Sequence, residues 1–445
     1  MTRLAVILGA SISGLLAARS LAPHFENIVL LERDTLPDKP DYRSGTAQAQ
    51  HAHILLRRGL TGLEQLFPGF TDKLVKAGGV ITNATREWHS LFPMGAFPNF
   101  ESSFEFLCAS RSLIEHTLRA TLLEQCSNII IRDNYTVTGI KLSADAPPQI
   151  SFLPNGEKSS HENMIADLVV DATGRNSRAP NWLQQQGFGI VREILVKPYL
   201  GYATRLYSKV TMPAGIRATV IMAKDPVMTR GGVLFPIEND QYICTLYGFS
   251  KDYPPTDATE FLNFAKSLRS DIIYQGIVHA NPQTPPKAFV KNENTYRFYA
   301  EKGNWPQGFL VMGDAVCSFN PIYGQGMTSA LLAAESLVKS IQHENLANTT
   351  WVKKAQRKIV RAYQAPWTIS TNEDLRWPAT EGAKAGYALR SMHQFSNLIG
   401  TAATHDQHVA FTYIKVLHMT ATPTALLTPM MLARILKSGF KKTGE

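Results

Sequence analysis

The chain has 445 residues, 44% of them hydrophobic and 18% charged, a balance that excludes a disordered chain and implies more than one structural region around a sizeable core. Its formal net charge of +9 suits an anionic small partner, but the basic residues are dispersed apart from Lys437, Lys441 and Lys442. No basic block is interleaved with aromatics, which argues against nucleic-acid binding and leaves a solvated basic surface as the plain reading.

In chain order, Leu4–Leu8 is a continuous apolar run, as in a strand buried on both faces of a parallel sheet. It leads straight into a glycine turn, so Met1–Gly9 lacks the build of a secretory signal. Leu15–Leu21 is rich in Ala and Leu and reads as helix; Asn27–Leu31 is a second strand ending in Glu32. Residues 46–66 read as loop then helix, stopped at Pro68-Gly69. Ser110–Gln125 carries Leu113, Ile114, Leu118 and Leu122 at helical spacing. Ile129–Ile131, Tyr135–Ile140 and Asp167–Ala172 are further strands. Between residues 194 and 248 the pattern turns to alternation: Val233, Phe235 and Ile237, then Tyr242, Cys244 and Leu246, separated by Glu238-Asn239-Asp240. That is the signature of a hairpin in an antiparallel sheet. Thr256–Leu268 is expected to be a helix lying on that sheet, Gly308–Met312 another buried strand, and Gly326–Ile341 a long helix. The last hundred residues read as helices. Their charge-poor stretch, Val416–Leu436, is broken by Pro423 and Pro429, so packed helices are expected there rather than a span, and membrane contact is not. Four scattered cysteines, Cys108, Cys126, Cys244 and Cys317, form no paired spacing, which points to reduced thiols in the cytoplasm.

Three segments carry chemistry. The first is Gly9-Ala10-Ser11-Ile12-Ser13-Gly14, between a strand and a helix. A helix N-terminus offers free N–H groups and a positive dipole end to a pyrophosphate. Gly9 permits the tight turn, Gly14 lets helix and strand approach, and Glu32 is placed for a ribose diol. Ser11 replaces the middle glycine of the usual pattern. The second segment, Asp167–Arg175, is a buried strand ending in Asp171-Ala172-Thr173-Gly174. The third holds Gly313-Asp314-Ala315 and then Asn320-Pro321-Ile322-Tyr323-Gly324-Gln325-Gly326-Met327. There Asp314 can bind ribityl hydroxyls, Pro321 and Gly324 shape a loop that backbone can lay against an isoalloxazine ring, and Gly326 and Met327 open a helix whose N–H groups face the ring's carbonyl edge.

These segments resemble the dinucleotide, DG and GD motifs of class A flavoprotein monooxygenases, and Arg111-Ser112-Leu113-Ile114 resembles that family's arginine-led helix. A closer resemblance is to the flavin epoxidases of polyether biosynthesis, carried by Arg43-Ser44-Gly45-Thr46-Ala47-Gln48, His51-Ala52-His53-Ile54-Leu55, Tyr202–Tyr207, Trp305-Pro306-Gln307-Gly308 and Phe319-Asn320-Pro321. The resemblance implies an α/β fold: a Rossmann-type FAD-binding domain (1–77, 104–180 and 297–345), an antiparallel-sheet substrate-binding domain (78–103 and 181–296) and a helical C-terminal region (346–445). It implies that Arg33, Arg43, Gln48, Arg111 and Val137 join the three segments in holding FAD, and that Tyr202–Tyr207, Arg205 among them, lines the substrate domain; Phe235, with Tyr207 and Tyr247, is a candidate lining for an apolar cavity or simply core of the sheet. NADPH, NADH or a separate flavin reductase would reduce the flavin. One oxygen atom of O2 would pass through a C4a-hydroperoxide to an alkene in a hydrophobic natural product, one that carries a carboxylate or rides on a carrier. Aromatic hydroxylation, reduction of prenyl double bonds and a flavin-less binding protein are the alternatives.

No catalytic acid or base is assigned. No Gly-x-Ser-x-Gly elbow is present, and the tryptophan signature of flavin halogenases is absent. His51 and His53 lack a third ligand, so no metal is expected; one histidine would orient the flavin loop and the other pack. Arg205 and Arg230 are candidates for a substrate carboxylate or for ordinary ion pairs.

Overall fold

The computed structural model describes all residues except 1–2, 158–159, 291–292, 343, 345–349 and 441–445. Lys441, Lys442 and the boundary expected at residues 345–346 lie outside the described residues.

The apolar runs form five parallel strands: β1 (Leu4–Leu8), β2 (Asn27–Leu31), β3 (Ile129–Arg132), β4 (Leu168–Asp171) and β5 (Phe309–Val311). Their order in the sheet is β5-β4-β1-β2-β3. The chain moves one way from β1 to β2 and later returns on the other side of β1 as β4, so the strand order reverses at β1. A crevice opens at such a reversal, outside the carboxyl ends of the strands, and there ligands of open α/β sheets bind.

Five helices bear on that crevice: α1 (Ile12–Leu21), α2 (Arg57–Leu66), α3 (Arg111–Gln125), α4 (Gly326–Ile341) and α5 (Gln364–Asp374). Helix α1 begins three residues before its apolar run, because Ser11 to Ser13 form its first turn. It packs against α3 and α4 over the sheet. Pro68-Gly69 ends α2 as expected, but the chain reverses there through Gly69 (φ +81°) into a short helix, Phe70–Lys76.

The second sheet has eight strands, centred on Gly201–Ser208, Gln241–Gly248 and Arg230–Ile237, with Ala218–Ile221 running parallel to Trp88–Phe92. The expected hairpin pairs Ile237 with Gln241 across Glu238-Asn239-Asp240. Asn239 and Asp240 adopt φ of +60° and +54°, which these side chains tolerate better than most. A helix, Ala258–Lys266, lies on one face, against Ala203, Tyr207, Cys244 and Leu246. The other face packs Trp88, Phe235, Ile237 and Ile243 against the helices Tyr387–His405, Gln407–Leu417 and Pro429–Ser438. Among the described residues no helix is long and apolar enough to cross a membrane. All four cysteines are buried and free.

Candidate functional site

The turn after β1 is forced by sterics. Gly9 has φ +96°, and a Cβ there would lie 2.8 Å from the Ala172 carbonyl oxygen, at the end of β4. A Cβ on Gly14 would lie 1.9 Å from the Gly9 carbonyl oxygen. A Cβ on Gly313 (φ +69°) would meet the Ser13 hydroxyl at 2.2 Å. Three segments separated by more than a hundred residues therefore meet at the start of α1, the second backbone to backbone with Gly9 and the third against the Ser13 side chain.

Ser11 occupies the N-cap position of α1 but does not cap it. Its hydroxyl instead donates to Glu115 Oε2 (2.7 Å) and accepts from Arg111 Nη2 (2.9 Å). The first N–H groups of α1 are left available, as at any helix start without a capping side chain. Arg111 Nη1 is buried with no hydrogen-bond partner among the described residues. An unpaired guanidinium N–H beside an open helix N-terminus is an anion seat.

Around it lies a buried charge cluster. Arg43, with its side chain 6% exposed, meets Asp34 at 3.0 Å, Glu32 at 3.1 Å and Glu115 at 2.9 Å. Glu115 also pairs with Arg111 at 2.8 Å. Burial works against ionising Glu115, yet Arg111, Arg43 and the Ser11 hydroxyl hold its pKa down to about 2. Glu32 Oε2 accepts from the Ala10 N–H (2.8 Å), fixing the turn from β2. Gln48 sits half-buried on the short 3-10 stretch Ser44–Gln50 that follows Arg43. Arg33 stands at the edge of this cluster: its side chain is 65% exposed and lies 3.9 Å from Asp34. It follows Glu32 at the strand end, and adjacent side chains there point to opposite sides. Val137 lies in the strand Tyr135–Lys141, partly buried against the core of the parallel sheet.

At the end of β4, Asp171 is fully buried and turned inward. It accepts from the Thr173 N–H and hydroxyl (2.9 and 2.6 Å) and from the Ser177 hydroxyl (2.5 Å), so it shapes the Gly174 loop rather than facing a ligand. Gly174 (φ +81°) faces open space. Asp314 lies 3.6 Å from Arg175 Nε. Gly324 (φ +64°) ends the loop Pro321–Tyr323, and α4 starts at Gly326 with open space where a Cβ would stand. In the first turn of α4, after Met327, the buried hydroxyls of Thr328 and Ser329 have no partner.

The loop is held from below by a residue in the helical C-terminal region. Asp374, at the end of α5, is fully buried and accepts from Asn294 Nδ2 (2.5 Å), Asn320 Nδ2 (2.9 Å) and the Tyr323 hydroxyl (2.8 Å). Burial pushes its pKa up to about 7, against the pull of those three donors.

The antiparallel sheet turns Tyr202, Thr204 and Thr245 toward the segment His51-Ala52. His51 Nδ1 lies 2.8 Å from the Thr204 hydroxyl, which lies 2.6 Å from the Thr245 hydroxyl; Thr245 Oγ1 in turn accepts from the Ala52 N–H. Burial holds the His51 pKa down to about 3, so the ring is neutral at neutral pH. Tyr202 packs edge-on to His51 at 4.5 Å, and its buried hydroxyl has no partner. His53 does not face His51 as a ligand pair would: its Nδ1 lies 2.9 Å from the His51 carbonyl oxygen. Among the described residues no group of three or more His, Cys, Asp or Glu is set to hold a metal.

Three of the expected substrate contacts stand elsewhere. Tyr207 and Arg205 lie on the opposite face from Thr204, toward the helix Ala258–Lys266, because side chains alternate along a strand. Arg205 Nε donates to the Thr284 carbonyl at 2.8 Å. Phe235 is on the site's face but 1% exposed, packed on Trp88 beneath the C-terminal helices. Arg230 is matched by Asp252 through two hydrogen bonds of 2.8 and 2.9 Å.

No family model matches the chain. It is 30% identical over 360 residues to Protein Rv3254 of Mycobacterium tuberculosis, covering 77% of this chain and 74% of that one. The chain belongs to this protein's family. Its fold is that of the FAD-dependent monooxygenases. The flavin-dependent brominase Bmp2 superposes with a TM-score of 0.65 over 97% of both chains at 12% identity. Pseudomonas aeruginosa PqsL, solved with 2-aminobenzoylacetate, does so with a TM-score of 0.61 over 84% of this chain and 95% of its own at 14% identity.

FAD fits the residues present. The seat at Arg111 and the α1 N-terminus suits a pyrophosphate, and the open space at Gly174 and Gly326 leaves room for a flat ring system. Sequence reasoning missed Glu115, Asp34, Thr245 and Asp374, and held Thr204 only as part of the stretch Tyr202–Tyr207. Only Glu115 left a signal, its i,i+4 spacing from Arg111 on a helix.

Proposed function

We propose that this protein is a FAD-dependent monooxygenase acting on a small hydrophobic molecule, with epoxidation of an alkene as its reaction. The observation that carries this reading is the meeting of Gly9–Gly14, Ala172 and Gly313 at the start of α1, where Ser11 accepts from an Arg111 whose other terminal nitrogen is unpartnered among the described residues. FAD, reduced by NADPH, NADH or a flavin reductase, supplies the activation of O2.

The remaining work belongs to the chain. Residues 1–77, 104–180 and 297–345 hold the nucleotide: Arg111, Ser11 and the N-terminus of α1 take the pyrophosphate, Glu32 the ribose, Asp314 the ribityl chain and the start of α4 the ring. Residues 78–103 and 181–296 present the substrate from their sheet. The apolar packing of that sheet against the C-terminal helices excludes water from the reacting atoms. An alkene needs no proton removed before it is oxygenated, so this reaction asks for no catalytic base from the chain.

The purified protein should be yellow, release FAD on denaturation and couple NAD(P)H oxidation to O2 uptake. Isotope from labelled O2 should enter an epoxide. Label in a phenol would replace epoxidation with hydroxylation. NAD(P)H consumption without O2 uptake would make the protein a reductase, and a colourless protein that takes up no FAD would overturn the reading.

We assign Tyr202, beside His51 on the sheet, to the substrate side. Tyr202→Phe removes a hydroxyl that is unpaired without ligand, so thermal stability should hold or rise. If the hydroxyl bonds the substrate, kcat/KM should fall about tenfold, the worth of one hydrogen bond of ~1.4 kcal/mol. An unchanged kcat/KM would remove Tyr202 from the site.

A further inference from the structure

We propose that Asp374 is a positioning residue for the cofactor: its carboxylate, from outside the three motifs, fastens the loop Asn320–Tyr323 and with it the start of α4. This rests on the reading that this loop holds a flavin.

The geometry is specific. Asp374, Asn294 and Asn320 are all fully buried. The Asp374 carboxylate is the acceptor for both amides and for the Tyr323 hydroxyl, three donors from two other parts of the chain. Asn294 spends its carbonyl oxygen on the Asn320 N–H (2.7 Å), and Asn320 spends its own on the Ile322 N–H (3.1 Å). Each amide's orientation is thereby fixed, since turning either one would set two donors or two acceptors against each other. Among the described residues no cation pairs with Asp374; the neighbouring Arg376 is taken by Glu373 at 2.8 Å. What keeps this carboxyl group buried here is the set of donors it orders, and the ordered segment is the loop that ends at Gly324, two residues before α4.

The network can be reversed without changing its shape or charge. Asp374→Asn alone turns an amide N–H2 toward the N–H2 of Asn294. Asn294→Asp alone sets two carboxylates together. The double variant Asp374→Asn/Asn294→Asp restores every bond: residue 374 keeps an acceptor for Asn320 and Tyr323 and donates to residue 294, which still accepts from the Asn320 N–H.

The test measures FAD affinity, the absorbance band of bound flavin and the melting temperature without FAD, for wild type and all three variants. Each single variant should bind FAD about tenfold more weakly with a shifted band, and the double should return to within about threefold of wild type. If a single variant does not fold, recovery in the double still decides the matter, and Tyr323→Phe, which removes one donor, should weaken FAD about threefold. Single variants with unchanged affinity and band, or a double no better than the worse single, would overturn the assignment. If the wild type takes up no FAD, the functional reading falls, and the melting temperatures still judge whether residues 294 and 374 form this latch.

Discussion

Gly14→Ala should cost the protein about 3 kcal/mol of stability and weaken FAD at least ~100-fold. The added Cβ would sit 1.9 Å from the Gly9 carbonyl oxygen. That oxygen cannot retreat, because Gly9 is itself held at φ +96° with the Ala172 carbonyl behind it. Relief comes only if α1 lifts off β1, which carries its N-terminus and the Ser11 contacts out of line. Gly69→Ala is the control: its φ of +81° brings backbone strain of ~1–2 kcal/mol, but nothing lies within 4 Å of the added Cβ, so FAD binding should stay ordinary. Denaturant unfolding and a flavin titration read both. FAD affinity equal to wild type in Gly14→Ala would mean that the cofactor does not depend on this turn.

Glu115→Gln has the next largest effect. Arg43 and Arg111 share this one carboxylate at 2.9 and 2.8 Å, with its side chain 9% exposed. Removing its charge takes from the buried Arg111 its carboxylate partner, while Arg43 keeps Asp34 and Glu32, a loss of roughly 3 kcal/mol by the usual cost of breaking a buried pair. The sign with pH comes from the depressed pKa. The group's stabilisation is present in full above its unfolded value of 4.5 and is lost as pH falls toward about 2. The gap in unfolding free energy between wild type and variant should therefore be widest near neutral pH and close across that acid window. A gap that does not vary with pH would mean the two arginines do not hold this carboxylate. Bound FAD should also narrow the gap, because a pyrophosphate brings anionic charge to the same guanidiniums.

What could be read in advance was local. Strands β1 and β2 and helix α4 are read residue for residue because an apolar run or a helical repeat needs only its own neighbours to be recognised. The hairpin at Asn239-Asp240 is of the same kind. Tyr202 and Tyr207 are an odd number apart on one strand, so their opposite facing was implicit in the sequence; which face looks at the site depends on packing with residues far along the chain. Phe235 has the same difficulty, because the helices that bury it come more than 150 residues later. Asp374 sits in the run Asn372-Glu373-Asp374, where nothing separates a buried carboxylate from a solvated one. Its meaning comes from Asn294 and Asn320, partners 80 and 54 residues away.

The helices after residue 386 roof one face of the antiparallel sheet with apolar side chains such as Phe395, Phe411 and Tyr413. Tolerance to change is thus divided unevenly along the chain. The turns near the amino end accept no added carbon, whereas a roof of this sort has only to remain greasy and of suitable volume. A descendant protein could therefore trade one molecule for another by redrawing its tail while the machinery at its head stays as it was.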